Sequence, residues 1–359
     1  MAKTRVIGIM SGTSLDGLDI ACCDFSEENG VWNYEIVSTQ TISYSDCWLK
    51  KIVGAQHLDP ATFSKLNIDY GIFIGEAIHN FIRDYKIHRV QLIASHGHTI
   101  FHQPEKKLTV QIGSGAAIAS VMSLPVVCDF RSLDVALGGQ GAPLVPFGDK
   151  HLFSEYEYCL NLGGIANISF DQEAKRIAFD ICPCNMPLNL LAEERGKKFD
   201  ENGTLASEGK INSVLLDELN SLQFYRKSFP KSLGREWFES EFHPILHRNT
   251  ISIEDKLRTV TEHLAIQISH VVNAEEYTAN CRILVTGGGA FNSFLLSRIK
   301  ALCKLQLVLP DASTINFKEA IIFAFLGLLR FQHKINTDAS VTGASRDSSG
   351  GALYFPEIF

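Results

Sequence analysis

One stretch near the N-terminus constrains the fold more than any other. An apolar run, Val6 to Met10, is followed by a polar turn with two glycines and then by a second apolar run, Leu18 to Phe25. Two apolar runs joined by a glycine-containing turn are typical of a β-hairpin. Glycines let backbone N–H groups approach an anion, and a carboxylate in the turn can hold magnesium, often through water. The turn is suited to the phosphates and the metal of a nucleotide, and an ordinary polar hairpin turn is an equally good interpretation.

The length and the charge of the chain limit its partners. At 359 residues it can bury large cores and is expected to form two domains. Its formal net charge of −7 argues against nucleic acid or an anionic membrane as a partner. Charges or glycines interrupt every long apolar run, and the N-terminus lacks a signal peptide's apolar region, so we expect a cytoplasmic protein. The nine cysteines lie scattered in apolar strands, which favours reduced core thiols over a disulfide framework.

The order of strands and helices predicts two α/β domains. Strands alternate with helices after the hairpin, which indicates a largely parallel sheet beside an antiparallel hairpin. The series strand, glycine turn, strand, strand then recurs, and we interpret this as an internal duplication. The further predicted strands are 34–44, 90–95, 125–130, 157–162, 166–170, 176–181, 282–286 and 306–310, and the predicted helices are 60–86, 113–123, 185–196, 208–222, 253–273 and 316–333. We expect domain I to comprise 1–132 plus 337–359 and domain II to comprise 133–336, with the segment GGQGAP as a hinge candidate.

Two further glycine turns follow apolar strands. Gly163 and Gly164 join two strands of the second half, as the first turn does in the N-terminal half, and this match favours phosphate contact over a simple tight turn. The segment TGGGAFN, 286–292, follows a strand and opens a helix, and glycines at a helix N-terminus suit a phosphate or a ribose. It does not complete the G-x-G-x-x-G/A pattern of dinucleotide-binding proteins, and a helix start that needs close packing is the alternative.

Asp180 is the strongest candidate for proton transfer. It ends the strand RIAFD, before a break at Pro183, and a partly buried carboxylate at such a strand end can accept a proton. A helix-capping or salt-bridging aspartate is the commoner alternative. Asn185 either caps the next helix or touches a substrate, and His96 and His98 either donate to ligand oxygens or are structural.

Distinctive blocks run from one end of the chain to the other. In chain order they are MSGTSLDGLD (10–19), SHGHTIFHQP (95–104), TVQIG (109–113), DFR (129–131), GGQGAPLVP (138–146), NLGGIANIS (161–169), FDICPCN (179–185), GREWF (234–238), TGGGAFN (286–292), KEAIIFAFLG (318–327) and VTGASR (341–346). In content and order these blocks resemble the anhydro-N-acetylmuramic acid kinases of the sugar kinase and actin-like ATPase superfamily. The resemblance implies two actin-like (ribonuclease H-like) α/β domains with duplicated topology around a central cleft.

The resemblance also implies ATP and Mg²⁺ as cofactors and a set of site residues. Asp180 is implied as the general base, and Asp16 as the residue near magnesium, through water. The residues expected to bind ATP are Gly12, Thr13, Ser14, Leu15, Asp16, Gly17, Leu18, Asp19, Gly163, Gly164, Gly287, Gly288, Gly289 and Asn292. The residues expected to contact the anhydro-sugar are His96, Asp129, Arg131, Gln140, Asn185 and Glu319.

Alternatives stay open for several of these sugar contacts. Arg131 suits the lactyl carboxylate of an anhydromuramic acid, and Asp129 either orients Arg131, meets magnesium or forms a surface ion pair. Gln140 is otherwise a turn residue, and Glu319 a solvated residue in the first turn of a helix.

The chain departs from the family at two places. Many members read D-T-G-P-G-N where this chain has Asp180 to Asn185 with Cys182 and Cys184 in place of glycines, so the loop is stiffer and bulkier. A zinc site at these two cysteines is disfavoured because no second ligand pair stands nearby. His98 stands where the family more often has glutamine.

The resemblance implies one combined reaction. Water activated by Asp180 opens the 1,6-anhydro bridge, and the freed 6-oxygen takes the γ-phosphoryl group of ATP, as in recycling of the cell wall. A kinase of another sugar is the first alternative, and a nucleotide-binding regulator without catalysis is the second. The resemblance further implies a homodimer.

The first turn generates a direct test. Asp16→Asn keeps the shape of the side chain but removes its charge, so we expect a folded protein that has lost most of its turnover. Steady-state kinetics with ATP and magnesium, together with a circular dichroism spectrum, measure both properties. Full activity of this variant removes Asp16 from the metal site.

Overall fold

Two β-sheets with the same strand order organise the chain. The computed structural model describes residues 3–12, 15–274 and 281–356. The strands are β1 (Thr4–Ser11), β2 (Leu18–Glu28), β3 (Val31–Ile42), β4 (Leu92–Gln103), β5 (Leu108–Ile112), β6 (Val126–Cys128), β7 (Tyr158–Leu162), β8 (Ile165–Gln172), β9 (Lys175–Pro183), β10 (Arg282–Thr286), β11 (Gln306–Val308) and β12 (Ala352–Tyr354).

The helices connect these strands. They are α1 (Asp46–Gly54), α2 (Pro60–Asp84), α3 (Gly115–Met122), α4 (Ser132–Ala136), α5 (Val145–Leu152), α6 (Asn185–Glu193), α7 (Thr204–Glu208), α8 (Ser213–Asn220), α9 (Arg235–Trp237), α10 (His243–Arg248), α11 (Ile253–Val272), α12 (Ser293–Leu302), α13 (Ala312–Phe331) and α14 (Ala339–Thr342).

The two sheets share one topology. In the first sheet the order is β3-β2-β1-β4-β6-β12, with β5 paired to β4 at the side. In the second sheet it is β9-β8-β7-β10-β11. In each sheet the first three strands form an antiparallel meander, and the next two run parallel to the strand that begins it. The predicted duplication and the α/β fold class are therefore confirmed.

The chain divides into two compact units. Unit 1 comprises Met1–Leu152 and Phe317–Phe359, and unit 2 comprises Phe153–Asn316. The boundaries predicted from the sequence, 132/133 and 336/337, would place α5 and α13 in the second domain. In the structure α5 and most of α13 belong to unit 1, because α13 packs directly on the first sheet.

Helix α13 packs against the first sheet with its backbone very close to that of the strands. An ideal Cβ built on Gly8 of β1 would lie 1.9 Å from the carbonyl oxygen of Ala320. Farther along α13, a Cβ on Gly327 would lie 2.3 Å from the Cβ of Ala94 in β4. By length and composition α13 could cross a membrane, but 72% of its most apolar window is buried inside the protein. It is therefore a core helix, although the sequence analysis found no apolar run of spanning length.

The core of unit 2 lies between the second sheet and α11. This helix begins at the N-cap Ser252, whose side chain accepts from the N–H of Asp255. Its buried residues recur at spacings of three and four, as at Leu257, Val260 and Leu264, and they join one cluster with the apolar residues of β7 and β10. The burial of this face fixes the helix on the sheet.

Two predicted elements differ from the structure. The strand expected to stop at Ser95 continues to Gln103, because His98–Gln103 pair with β5, which the sequence did not predict. The helix expected at 208–222 corresponds to α8 and begins only at Ser213, while a separate short helix, α7, ends at Glu208. Gly209 separates them, and a Cβ there would lie 2.0 Å from the carbonyl oxygen of Glu254.

The contact at Gly8 generates a stability prediction. Gly8→Ala places a methyl group against the backbone of α13, and overpacking of this kind should lower the free energy of unfolding by about 2 kcal/mol. Chemical denaturation measures the change.

Gly54→Ala is the matched control, because nothing lies within 4 Å of its ideal Cβ and its φ of −79° suits alanine. We expect it to leave the stability unchanged or to raise it by about 0.5 kcal/mol. Equal stability of the two variants would contradict the close approach.

Candidate active site

The first glycine turn lies between β1 and β2 of unit 1. Its backbone folds back where the N–H of Leu15 donates to the carbonyl of Gly12 at 3.2 Å. Gly17 has a φ of +154°, and a Cβ there would lie 2.7 Å from the carbonyl oxygen of Ile42. Thr13 and Ser14, which the sequence assigns to phosphate binding, lie outside the described residues. Leu18 is the first residue of β2 and is fully buried, so its side chain belongs to the core.

Two carboxylates flank the end of this turn. Asp16 is exposed, and Asp19 accepts from the hydroxyl of Thr41 at 2.6 Å. Burial raises the pKa of Asp19, and the negative charge of Asp16 adds to the rise. The two groups are therefore close enough to interact, and their oxygens are the ligands that Mg²⁺ prefers. Within the described ranges no group of three or more His, Cys, Asp or Glu side chains could hold a metal alone, so a magnesium ion would also need phosphate oxygens or water.

A buried chain of hydrogen bonds anchors the start of the turn. The hydroxyl of Ser11 lies 2.6 Å from that of Tyr44 and 2.8 Å from Nδ1 of His98, and Tyr44 lies 2.6 Å from the hydroxyl of Tyr70. Burial lowers the pKa of His98 to about 4, so its ring is neutral at pH 7. Neither Tyr44 nor Tyr70 was predicted at the site, since in the sequence both are only core positions of a predicted strand and a predicted helix.

Arg131 is held by His96 rather than by Asp129. Its Nε donates to Nε2 of His96 at 2.9 Å, and its Nη1 donates to the carbonyl of Gly141 at 2.5 Å. Nδ1 of His96 lies 2.9 Å from the carbonyl of Gly97, which assigns the proton to Nδ1. Burial and then the charge of Arg131 hold the pKa of His96 well below its usual range, while burial lowers the pKa of Arg131 to about 10. Asp129 is exposed and accepts from the N–H of Ser132 at 3.3 Å.

Glu319 belongs to the same charged cluster of unit 1. Desolvation by the surrounding protein raises its pKa, and the charges of Lys318 and Arg131 oppose the rise. Its side chain is exposed on α13. The neighbouring Lys318 forms a buried ion pair with Asp149 at 3.0 Å. The structure thus brings together His96, Arg131 and Glu319.

The segment GGQGAP is fixed inside unit 1 and does not lie at the boundary, contrary to the hinge prediction. The buried carboxylate of Asp134 accepts from the N–H of Gly141 at 2.7 Å and from the hydroxyl of Thr342 at 2.6 Å. Gln140 is exposed, and its backbone N–H donates to the carbonyl of Thr342 at 2.8 Å. Its side chain remains a predicted sugar contact.

Asp180 lies within β9, three residues before the strand ends at Pro183. Its Oδ2 accepts from the N–H of Leu233 at 2.8 Å, and its own N–H donates to the carbonyl of Lys231 at 3.2 Å. Within the described part of the chain, Oδ1 makes no hydrogen bond. Burial raises the pKa of Asp180, against the effect of the Leu233 N–H. The result is a partly buried carboxylate with one oxygen able to accept a proton.

The second glycine turn supports the start of α6. The carbonyl of Gly163 accepts from the N–H of Asn185 at 3.0 Å, and that of Gly164 accepts from the N–H of Cys184 at 2.8 Å. The side chain of Asn185 donates to the carbonyl of Leu162 at 2.9 Å, so it does not cap α6. The carbonyl groups of the turn therefore hold the first residues of α6.

The third glycine turn packs on the end of β7. Gly287 has a φ of +82°, and a Cβ there would lie 2.5 Å from Oδ1 of Asn161. A Cβ on Gly289 would lie 2.7 Å from that of Leu162, whereas Gly288 has more space. Close packing therefore explains two of the three glycines. Asn292 is the N-cap of α12 and accepts from the N–H of Leu295 at 2.9 Å.

Cys182 and Cys184 point into the core of unit 2. Both are fully buried and belong to the apolar cluster of that unit. Burial raises the pKa of Cys182 well above its usual range and that of Cys184 to about 12, so both thiols are neutral. The two cysteines that depart from the family pattern therefore fill space in the core of unit 2.

These features define a class of protein. Two α/β units that repeat one strand order, each with a glycine turn after its first strand, form the actin-like fold class. A sequence profile described as "Anhydro-N-acetylmuramic acid kinase" matches residues 4–356. The chain belongs to this kinase family.

Relatives in several bacteria support the assignment. The anhydro-N-acetylmuramic acid kinase of Vibrio vulnificus is 33% identical over 98% of both chains, and that of Shewanella amazonensis is 33% identical over 99% of both. Among solved structures, the activator of the 2-hydroxyisocaproyl-CoA dehydratase from Clostridium difficile aligns over 92% of this chain and 96% of that one. Its TM-score of 0.46 and its identity of 13% are too low to carry a conclusion.

The buried His98 generates a pH prediction. In the folded protein its pKa is about 4, below the usual 6.5, so its contribution to stability is complete above pH 6.5 and is lost as the pH falls toward 4. At about 1.4 kcal/mol per pKa unit the loss is about 3 kcal/mol by pH 4. Urea denaturation across this range should show a smaller loss for His98→Gln than for the parent.

His79→Gln is the control, because this histidine is exposed on α2. It should keep the pH dependence of the parent. Parallel curves for the parent and His98→Gln would show that the ring of His98 is not buried in neutral form.

Proposed function

We propose that the protein is an ATP-dependent kinase that hydrolytically opens 1,6-anhydro-N-acetylmuramic acid and phosphorylates its 6-oxygen. The products are N-acetylmuramic acid 6-phosphate and ADP. Membership of the family supports the substrate class. The observation that carries the mechanism is Asp180, a partly buried carboxylate with a raised pKa, one oxygen held by a backbone N–H and the other available.

In this mechanism Asp180 acts as the general base. Its Oδ1 takes a proton from water while the water oxygen forms a bond to the anomeric carbon. The bond from this carbon to the bridging 6-oxygen breaks, and the 6-oxygen then attacks the γ-phosphorus of ATP. The bond between the γ-phosphorus and the oxygen of ADP breaks as the new ester forms. A raised pKa makes the carboxylate a better base for the first step.

Recognition of the sugar is assigned mainly to Arg131, which the structure holds in place. Arg131 presents a guanidinium fixed by His96 and Gly141 to the lactyl carboxylate of the substrate, for which a planar cation is well suited. Glu319 accepts from sugar hydroxyl groups, and Asn185, Asp129 and Gln140 are further proposed contacts.

The glycine turns are assigned to ATP. The backbone of the first turn and the amides of Gly163 and Gly164 contact phosphates, and the turn at Gly287 to Gly289 contacts the adenosine part, with Gly288 having space for a close approach. Asp16, with Asp19 beside it, would hold Mg²⁺ through water. Such an ion neutralises charge on the phosphoryl group during transfer.

Family membership supports a proposal for the physiological setting. We propose a cytoplasmic homodimer that acts in peptidoglycan recycling and amino-sugar catabolism.

Asp180→Asn tests the mechanism. Asparagine keeps the shape but cannot take the proton, so kcat with anhydro-N-acetylmuramic acid should fall about 10²- to 10⁴-fold while the Kd for ATP stays the same. Turnover and nucleotide affinity are measured on the same preparation, with product masses from reactions in isotopically labelled water.

Three outcomes speak against the proposal in different ways. Near-normal turnover of Asp180→Asn removes it as the base. A parallel loss of melting temperature, ATP affinity and turnover indicates a structural aspartate. A phosphorylated product of the parent without solvent oxygen at its anomeric carbon indicates an ordinary sugar kinase.

A further inference from the structure

A short segment without helix or strand, residues 229–233, is docked on β9 around Asp180. The ring of Phe229 stacks on that of Phe179, with centroids 5.4 Å apart and planes at 8°. The carbonyl of Lys231 accepts from the N–H of Asp180 at 3.2 Å, and the N–H of Leu233 donates to its Oδ2 at 2.8 Å. The segment therefore holds both the backbone and the carboxylate of this residue.

The segment is tied to the core of unit 2 through Lys231. Its ammonium lies 4.7 Å from the ring centroid of the buried Phe224 and 5.7 Å from that of Phe179. Tyr225 follows Phe224 in the chain, and its hydroxyl lies 2.9 Å from Nε2 of the fully buried His263 on α11. An ammonium between two aromatic faces and a buried hydrogen bond beside it both resist movement of the segment.

Most of the segment is nevertheless exposed. Phe229 is 41% exposed, and Pro230 and Ser232 lie at the surface. The segment contacts Phe170 on β8, Phe179 and Asp180 on β9, and Phe224. One of these contacts is a hydrogen bond to the carboxylate to which the proposed function assigns the chemistry.

We propose that residues 229–233 form a positioning segment, in which the N–H of Leu233 engages Oδ2 so that Asp180 presents Oδ1 to the attacking water. This inference rests on the proposed function and adds Leu233 and Phe229 to it as positioning residues. A carboxylate free to rotate would offer either oxygen in many orientations. Fixing one oxygen selects the geometry of proton transfer, and a misplacement of about 1 Å can reduce a rate by about 100-fold.

The hydrogen bond also sets the direction of a pH effect. A donor to the charged form of a carboxylate lowers its pKa, so loss of the Leu233 N–H should raise the pKa of Asp180. Cys182, whose thiol is neutral, lies two residues along the same strand, and the uncharged Asn167 pairs with Asp180 on β8, while the ammonium of Lys231 lies over the ring of the preceding residue, Phe179. None of these changes in the variants below, so the acid limb of the kcat profile should move to higher pH.

Two substitutions at Leu233 separate the N–H from the side chain. Leu233→Pro removes the N–H, whereas Leu233→Ala keeps it and shortens the side chain. We expect the proline variant to have a kcat about 10- to 100-fold below that of the alanine variant, with its acid limb at higher pH and an unchanged Kd for ATP. Holding substrate at saturation separates kcat from KM.

Two substitutions at Phe229 test the same role without introducing a proline that could cause misfolding. Phe229→Ala removes the stacked ring from an exposed position and should lower kcat and shift the acid limb in the same direction, and Phe229→Tyr, which keeps the stack, should restore both. Phe199→Ala is the control, since Phe199 is 52% exposed elsewhere in unit 2 and should leave kcat unchanged.

The outcomes distinguish this inference from the proposed function. If Asp180→Asn is inactive while Leu233→Pro and Phe229→Ala match their controls in kcat and in pH profile, the positioning role is wrong and the base assignment stands. If kcat falls only together with ATP affinity and melting temperature, and the acid limb does not move, the segment is merely structural and the inference is also wrong. If Asp180→Asn is active, the proposed function fails first.

Discussion

The contact between Gly8 and Ala320 determines the arrangement of unit 1. Only a residue without a Cβ lets the backbone of β1 approach α13 so closely, since a methyl group would lie 1.9 Å from a carbonyl oxygen. β1 leads into the first glycine turn three residues later, and α13 carries Glu319 immediately before the contact. One steric constraint therefore fixes the distance between two proposed parts of the site, the phosphate turn and a sugar-contacting carboxylate. A larger residue at position 8 would move both.

Burial of neutral histidines supports this arrangement. His96 and His98 lie two residues apart on β4 and serve different partners, Arg131 and Ser11. Nε2 of His96 must be unprotonated to accept from Arg131, and burial holds the pKa of both rings below the usual range. A glutamine in place of His98 could also form a hydrogen bond with Ser11. Histidine differs from glutamine at this position because its ring becomes protonated in acid, which would destabilise the buried hydrogen-bond chain.

Local patterns made much of the fold predictable, and partners distant in sequence made the rest unpredictable. The hairpin at the N-terminus, its repetition near 157–183 and most strands follow from alternation and glycine turns, which involve only neighbouring residues. Orientation of Arg131 by Asp129, two residues away, was one of three alternatives for that aspartate, but the partner of Arg131 is His96, and the carboxylate of Asp129, whose φ is +56°, accepts from Ser132. Tyr44 and Tyr70 gave no signal, since only the folded chain brings them to Ser11. The domain boundary was misplaced for the same reason, because an apolar helix does not reveal which sheet it covers.

The duplicated topology explains how one architecture carries two kinds of chemistry. β4 and β10 occupy the same position in their sheets, each parallel to the strand that begins the meander. β4 contains His-Gly-His, whose rings hold Arg131 and Ser11, whereas β10 ends at three glycines, of which Gly288 leaves space for a ligand to approach the backbone. β3 and β9 also correspond, but only β9 carries a half-buried carboxylate with a raised pKa, and only β9 has the 229–233 segment docked beside it. The sheets thus supply equivalent strand ends, and the side chains placed there, together with one added segment, give these strand ends their different proposed roles.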